Sequence, residues 1–346
     1  MSKVEVKVEF ETITPLWTGD AWMENLGIRP SSLIGSLRFW FEVICYFGGI
    51  CKKEEFDKDK GRFEKDIKND EIKKKLLDFG TDFNSQVQAL RSLNVPIPAI
   101  LFGTTGWRSL VEIKGIQPLE DYYFGNKLNL PGKFCINKNN PNQIQEGNNC
   151  PQRSNNTYSV FYFKIPYFWG KFLVIFEVEQ DIKNTIFLPL LTFMDKYGYW
   201  GGGWNIGYGR LRVVSVENQK NGWQKEEFDL FFGLEENKKF DINSIVGTIF
   251  NANDITDKTK KQILISKSNN CKNYSQNIKN LILEKAKRRK TENSQKDRHY
   301  LFGKTGNIQG EDLPQGSKIL PYINKSNNGS YECGLLSIAG ILSLYE

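Results

Sequence analysis

Five glycines fall within the fourteen residues Tyr199-Trp200-Gly201-Gly202-Gly203-Trp204-Asn205-Ile206-Gly207-Tyr208-Gly209-Arg210-Leu211-Arg212. Glycine admits positive φ and carries no Cβ, so such a segment can turn main-chain N–H groups toward an anion and let it approach the backbone. Arg210 and Arg212 alternate with Leu211 and Val213, which predicts a strand carrying both guanidiniums on one face beside the loop. Trp200, Trp204 and Tyr208 add flat surfaces on which unpaired bases stack. Gly201, Gly202, Gly203, Trp204, Asn205, Gly207, Tyr208, Gly209, Arg210 and Arg212 are therefore candidate contacts to a phosphate backbone. The simpler alternative is a tight helix-to-strand connection whose aromatics close a core. A P-loop follows a strand, opens a helix and ends in Gly-Lys-Ser/Thr; this segment follows a predicted helix, opens a strand and lacks that lysine, so ATP binding is disfavoured.

A second group lies near the N-terminus. Thr18, Gly19 and Arg29 precede a predicted helix in which Ser31, Gly35 and Arg38 recur at i, i+4 and i+7, hence on one stripe, with Ser31 or Ser32 as the cap. A helix N-terminus offers free N–H donors and partial positive charge, so this stripe, with Trp40 nearby, is a second candidate phosphate seat. Against it, Arg38 can pair with Glu42 at i+4, and Gly35 can merely ease packing. The third group is the run Lys285-Ala286-Lys287-Arg288-Arg289-Lys290, in which Lys287, Arg288 and Arg289 are the candidate contacts, although charge runs are usually solvated.

The elements that must position these residues follow from periodicity. Val4, Val6, Val8 and Phe10 alternate with charged residues, the period-2 signal of a half-buried first strand. Leu33, Leu37, Trp40, Phe41 and Ile44 have helical spacing, and the helix ends near Gly48. Strands are predicted around Val111–Ile116, Phe172–Val178 and Leu211–Val214, with a helix over Ile186–Tyr197. The order strand, helix, strand, strand, helix, strand fits a split βαβ, ferredoxin-like domain closing near Glu217. Residues 52–94 read as a solvated, Lys/Glu-rich insertion and 126–157 as a long irregular loop. After it come a basic helix over Asn277–Lys290 and two late strands. Leu101-Phe102-Gly103-Thr104-Thr105-Gly106 recurs as Leu301-Phe302-Gly303-Lys304-Thr305-Gly306, so the second part reads as a less complete copy of the first.

Composition sets the outer bounds. Apolar residues make up 39% and charged residues 25%, values of a folded chain, and 346 residues suit two domains. The formal charge of +7 favours polyanionic partners. Six cysteines without a CxxC pair and a single histidine, His299, argue against structural zinc, and no cofactor or metal is expected. There is no secretory signal and no apolar run long enough to span a membrane, so a reducing cytoplasmic setting is expected.

The blocks Thr14-Pro15-Leu16-Trp17-Thr18-Gly19 and Ser32-Leu33-Ile34-Gly35-Ser36-Leu37-Arg38-Phe39-Trp40-Phe41-Glu42, the Leu101-Phe102-Gly103 turn and the glycine loop together resemble the RAMP superfamily of CRISPR proteins. The first two blocks are most similar to the first-numbered subunit of the type III-B, or Cmr, effector complex. The resemblance implies an α+β protein of two ferredoxin-like (RAMP/RRM-like) domains, 1–217 with insertions at 52–94 and 126–157, and 218–346. It also implies a place near the 3′ end of the guide, contact with single-stranded RNA (guide crRNA and target RNA), contact with other Cmr subunits, and no cutting. Arg38 and Trp40 match the family's Arg-Trp pair, with Phe39 where the family often has another tryptophan. The second domain has a weaker glycine loop and no evident final strand. RAMP proteins include metal-independent endoribonucleases, and His299 and Asp20 are the residues such an alternative would use. Both read more simply as a surface or packing histidine and a turn-forming aspartate.

Overall fold

The computed structural model describes residues 2–19, 24–47, 50–151, 157–217, 227–229, 239–241, 264–292, 294–304, 309, 317–325 and 329–338. The first strand, Lys3–Thr12, buries Val6, Val8 and Phe10 and leaves Glu5 and Lys7 in solvent, as its alternation requires. It pairs antiparallel with Lys171–Glu179 on one side, Val8 opposite Val174, and with Leu211–Val216 on the other. Val111–Pro118 completes the sheet beyond Lys171–Glu179. Numbered along the chain, these four strands stand in the spatial order 4-1-3-2, with every neighbour antiparallel, and helices follow the first and third. This is the split βαβ arrangement expected for the first part of the chain.

The first helix, Pro30–Phe47, buries Leu33, Leu37, Trp40, Phe41 and Ile44 against that sheet. Its start differs from expectation. Pro30 is the first helical residue, where its missing N–H needs no partner and its fixed φ suits the turn. Ser31 and Ser32 therefore lie inside the first turn rather than capping it, and the Ser32 carbonyl accepts from Ser36 Oγ at 2.8 Å.

Both insertions are more ordered than their composition predicts. Residues 52–94 hold a short hairpin and the helices Asn69–Phe79 and Phe83–Ser92, and they add Phe63, Ile67, Ile72, Val87 and Leu90 to the main core. Residues 126–157 contribute to a three-stranded sheet of Lys133–Asn137, Ile144–Glu146 and Tyr158–Tyr162. A disulfide between Cys135 and Cys150 ties this sheet, and a second joins Cys271 to Cys333, so four of the cysteines are paired, which a reducing compartment would not lead one to expect.

In the second part, strands Leu264–Cys271, Tyr331–Ser337 and Ile319–Lys325 form an antiparallel sheet in that spatial order. The basic helix, Tyr274–Thr291, packs on it through Tyr274, Ile278, Leu281 and Ile282, one face at i, i+4, i+7 and i+8. The helix Gln295–Phe302 ends at Gly303 with φ 86° and ψ 163°, nearly the conformation of Gly103, φ 84° and ψ 158°, after the helix Ile97–Phe102. A second core gathers Ile206 and Tyr208 of the glycine loop, Phe134 and Ile136 of the insertion sheet, and Ile278, Ile282, Ile319 and Ile323 of the second part. The glycine loop thus lies on the seam between the two parts of the chain.

Candidate nucleic-acid interface

The glycine loop is held mostly by its own surroundings. Gly209, at φ 88°, passes so close to Trp200 that a Cβ would run into the Trp200 carbonyl, and its N–H donates to Pro15 O at 2.8 Å. Gly201, at φ 68°, lies equally close to the Trp17 carbonyl and donates its N–H to Ser36 Oγ at 2.9 Å. The amides of Gly202, Ile206, Gly207 and Tyr208 also have intramolecular acceptors. Those of Gly203, Trp204 and Asn205 have none among the described residues, so the anion-seeking part of the loop contracts to these three.

The flanking arginines take a different role from the one their spacing predicts. Arg210 precedes the strand, which begins at Leu211, and its side chain is fully buried. Its guanidinium donates to the carbonyls of Met194, Asp195, Lys196 and Gly198, closing the C-terminal end of the helix Leu188–Lys196, and to Ile323 O at 3.3 Å. It lies over the rings of Tyr199 and Tyr322, whose hydroxyls donate to Pro321 O and Lys196 O, both at 2.7 Å. Arg210 is therefore a staple between the two parts. Arg212 pairs with Glu11 across the strands. Trp200 and Tyr208 are core residues, and Tyr208 donates to Lys164 O. Gly207 packs on Ile278 and Pro321. Trp200, Gly207, Tyr208 and Arg210 are buried and present no surface to a strand of RNA, whereas Arg212 is half-buried in its ion pair.

The N-terminal group resolves the same way. Arg38 donates to Glu42 at 3.0 Å, Glu64 at 3.1 Å, Gly103 O at 2.8 Å and Phe63 O at 3.1 Å, so the alternative of an internal pair is the one realised. Burial of Glu42 outweighs the attraction of Arg38 and pushes its carboxyl up to about 7. Trp40 is buried and donates its indole N–H to Tyr199 O. Thr18 is buried and pins the following loop: its hydroxyl donates to Gly27 O and accepts from the Arg29 amide, and its own N–H donates to Asn25 Oδ1. Gly19 leaves room for the Trp17 ring. Arg29 and Ser31 are exposed at the helix start, away from the loop's open amides, and Asp20 lies outside the described residues.

What the structure brings together instead is a cavity of about 1260 Å³ on the seam. One wall is the loop segment Gly201–Asn205 with Phe39, and Tyr158 and Phe161 come from the insertion sheet. Six cations line the cavity as well: Lys285, Arg289 and Lys290 from the basic helix, Arg298 and Lys304 from the segment beyond it, and Lys138 from the insertion. Among the described residues no Asp or Glu lines it. Of the three residues singled out in the basic run, only Arg289 faces this space. Arg288 pairs with Glu284 at 3.1 Å one turn away and Lys287 is exposed on the outer face, as a solvated run predicts.

The cavity's cations are poorly neutralised. The side chains of Arg289 and Arg298 make no hydrogen bond or ion pair among the described residues, and burial followed by the field of Arg298 lowers the Arg289 pKa. Burial, and then Arg289, pull the Lys285 ammonium down to about 7. His299 also lines the cavity but is 92% covered and engaged by neighbours, the packing histidine of the simpler reading. Lys285 opens the basic run but is not among its candidate contacts, and Arg298 and Lys304 lie outside it; the repeat of the Leu-Phe-Gly turn is the signal that points near those two. Among the described residues no group of three or more His, Cys, Asp or Glu could hold a metal ion, and no helix is long and apolar enough to cross a membrane.

Residues 9–212, more than half of the chain, match the RAMP superfamily, and the protein belongs to it. Among solved structures it is similar to Cmr1 from Pyrococcus furiosus, with 16% identity over 96% of this chain and 87% of that one and a TM-score of 0.42. It is also similar to chains of two type III-B Cmr-beta structures bound to cognate target RNA, at 10% and 11% identity, TM-scores of 0.40 and 0.41, 99% of this chain and 98% and 99% of theirs. None of the curated proteins matches it.

Proposed function

We propose that this chain is a non-catalytic RNA-binding subunit of a CRISPR type III-B (Cmr) interference complex, holding guide or target RNA through its backbone. The observation that carries the reading is the seam cavity, lined by aromatic rings, three open amides and six cations, with no carboxylate among its described lining residues. Its volume exceeds the roughly 300–1,000 Å³ of small-molecule sites, which suits a stretch of chain better than a free nucleotide. Stacking on Phe39 and Trp204 with phosphates toward Arg289 and Arg298 is sequence-tolerant, as a protein that accepts any guide requires. The blocks around Trp17 and Arg38 that resemble the first Cmr subunit supply the assignment to that complex, and its other subunits and the crRNA are then the partners. We read the chain as two RAMP-like units, 1–217 and 218–346, supported by the matching turns at Gly103 and Gly303.

The test is fluorescence anisotropy of unrelated single-stranded RNAs across a salt series. R289A with R298A weakens all of them alike and lowers the salt slope by about 1.4, two contacts at about 0.7 each. Labelled RNA stays intact throughout in the absence of metal. An unchanged slope removes the cavity from the interface, and specific cleavage abolished by His299→Ala replaces the non-catalytic reading with the endoribonuclease one.

A further inference from the structure

Three of the cavity's cations, Lys285, Arg289 and Arg298, stand together, and their grouping has a chemical meaning. Ile282, Phe302, Leu320 and Ile338, all buried, line the same cavity and give it an apolar floor. Lys285 stands among them, its ammonium donating to Ile319 O at 2.6 Å and to Ser317 Oγ, itself a lining residue. An ammonium has three hydrogens, so one remains for a ligand. Arg289 lies one turn further along the same helix face, and Arg298 approaches it from the next helix.

We propose that this floor receives the terminal phosphomonoester of an RNA strand, so that the protein grips its RNA by a phosphorylated end. The proposal rests on the RNA reading above. A bridging phosphodiester brings one negative charge to such a site. A terminal phosphate brings nearly two near neutral pH, with three strong acceptor oxygens. Two guanidiniums without partners among the described residues and an ammonium with a further hydrogen match the second, in charge and in donors, and leave a diester outnumbered. Phe39, Trp204 and the amides of Gly203–Asn205, which line the same cavity, then carry the diester-linked nucleotides that precede the end.

The experiment uses the full chain and one eight-nucleotide RNA in three forms: both ends hydroxyl, 5′-phosphate, and 3′-phosphate. One phosphorylated form binds on the order of tenfold tighter than the hydroxyl form, which identifies the end that enters. In R289A and in R298A that ratio falls to near one, whatever the change in overall affinity, while K74A on the outer insertion keeps it. Neither arginine makes a side-chain bond among the described residues, so the variants keep the wild-type melting curve, which is recorded alongside. Equal binding of all three forms by the wild type, with R289A weakening each alike, overturns the end-recognition proposal and leaves the RNA interface standing. A preference that survives both substitutions overturns it as well. Failure of every form to bind overturns the RNA reading itself.

Discussion

Gly103 and Gly303 end their helices in almost the same backbone conformation, yet the cations around the two turns have opposite fates. At the first, Arg38 reaches the Gly103 carbonyl and is closed in by Glu42 and Glu64. At the second, Gly303 opens on a cavity whose arginines, Arg289 and Arg298, have no carboxylate among the described residues. A basic residue on a motif is thus not itself a ligand site. What separates the two is whether the fold supplies the anion: where it does, the pair is internal structure, and where it does not, the field is left for a partner.

The sharpest contrast is expected at Arg210, which belongs to the first kind. R210A strands several buried carbonyls and cuts the staple between the two parts, and it costs about 3–5 kcal/mol of stability in a denaturant titration. A variant that melts like the wild type but loses RNA would move Arg210 to the second kind. Next in size is the dependence of binding on Lys285. Its ammonium, drawn down to about 7 in the free protein, is charged below that pH and progressively neutral above it. Affinity for RNA therefore falls as pH rises from about 6 to 8.5, and K285M flattens the decline. The smallest effect lies at Glu42. Its folded pKa of about 7 stands above the usual 4.5, so the folded state holds the proton longer. Stability from this group is fully present below about 4.5 and is lost as pH rises through about 7. E42Q removes that slope between the two values, read as stability against pH in a denaturant titration.

Much of the frame was legible. The alternation of Val6, Val8 and Phe10, the helical spacing of Leu33 through Ile44 and the order of six elements all fix strong periodic segments, and the sheet assembled from them has the expected neighbours. The sheet at 133–162 was not legible, because strands of three to five residues among Asn, Gly and Pro carry too few periods, and the pairing of Cys135 with Cys150 is invisible without the fold. Around the loop, the density of glycine correctly marked close backbone approach, but the approaching group was the protein's own Trp17 and Trp200. The side-by-side placement of Arg210 and Arg212 failed because alternation holds only within a strand, and the strand starts one residue after Arg210. In the basic run, i,i+4 geometry accounts for Arg288 with Glu284, but which neighbour turns inward depends on how the helix packs, and this singled out Lys285 and Arg289.

The most direct measurement is a map of where RNA touches the protein. A single strand carrying 4-thiouridine at each position in turn is photo-crosslinked to the full chain, and the modified peptides are sequenced. The seam cavity predicts adducts in the peptides holding Phe39, Gly203–Asn205 and Tyr158–Phe161, all suppressed in R289A with R298A. Adducts confined to the helical insertion at 52–94, or unaffected by those substitutions, would contradict the account.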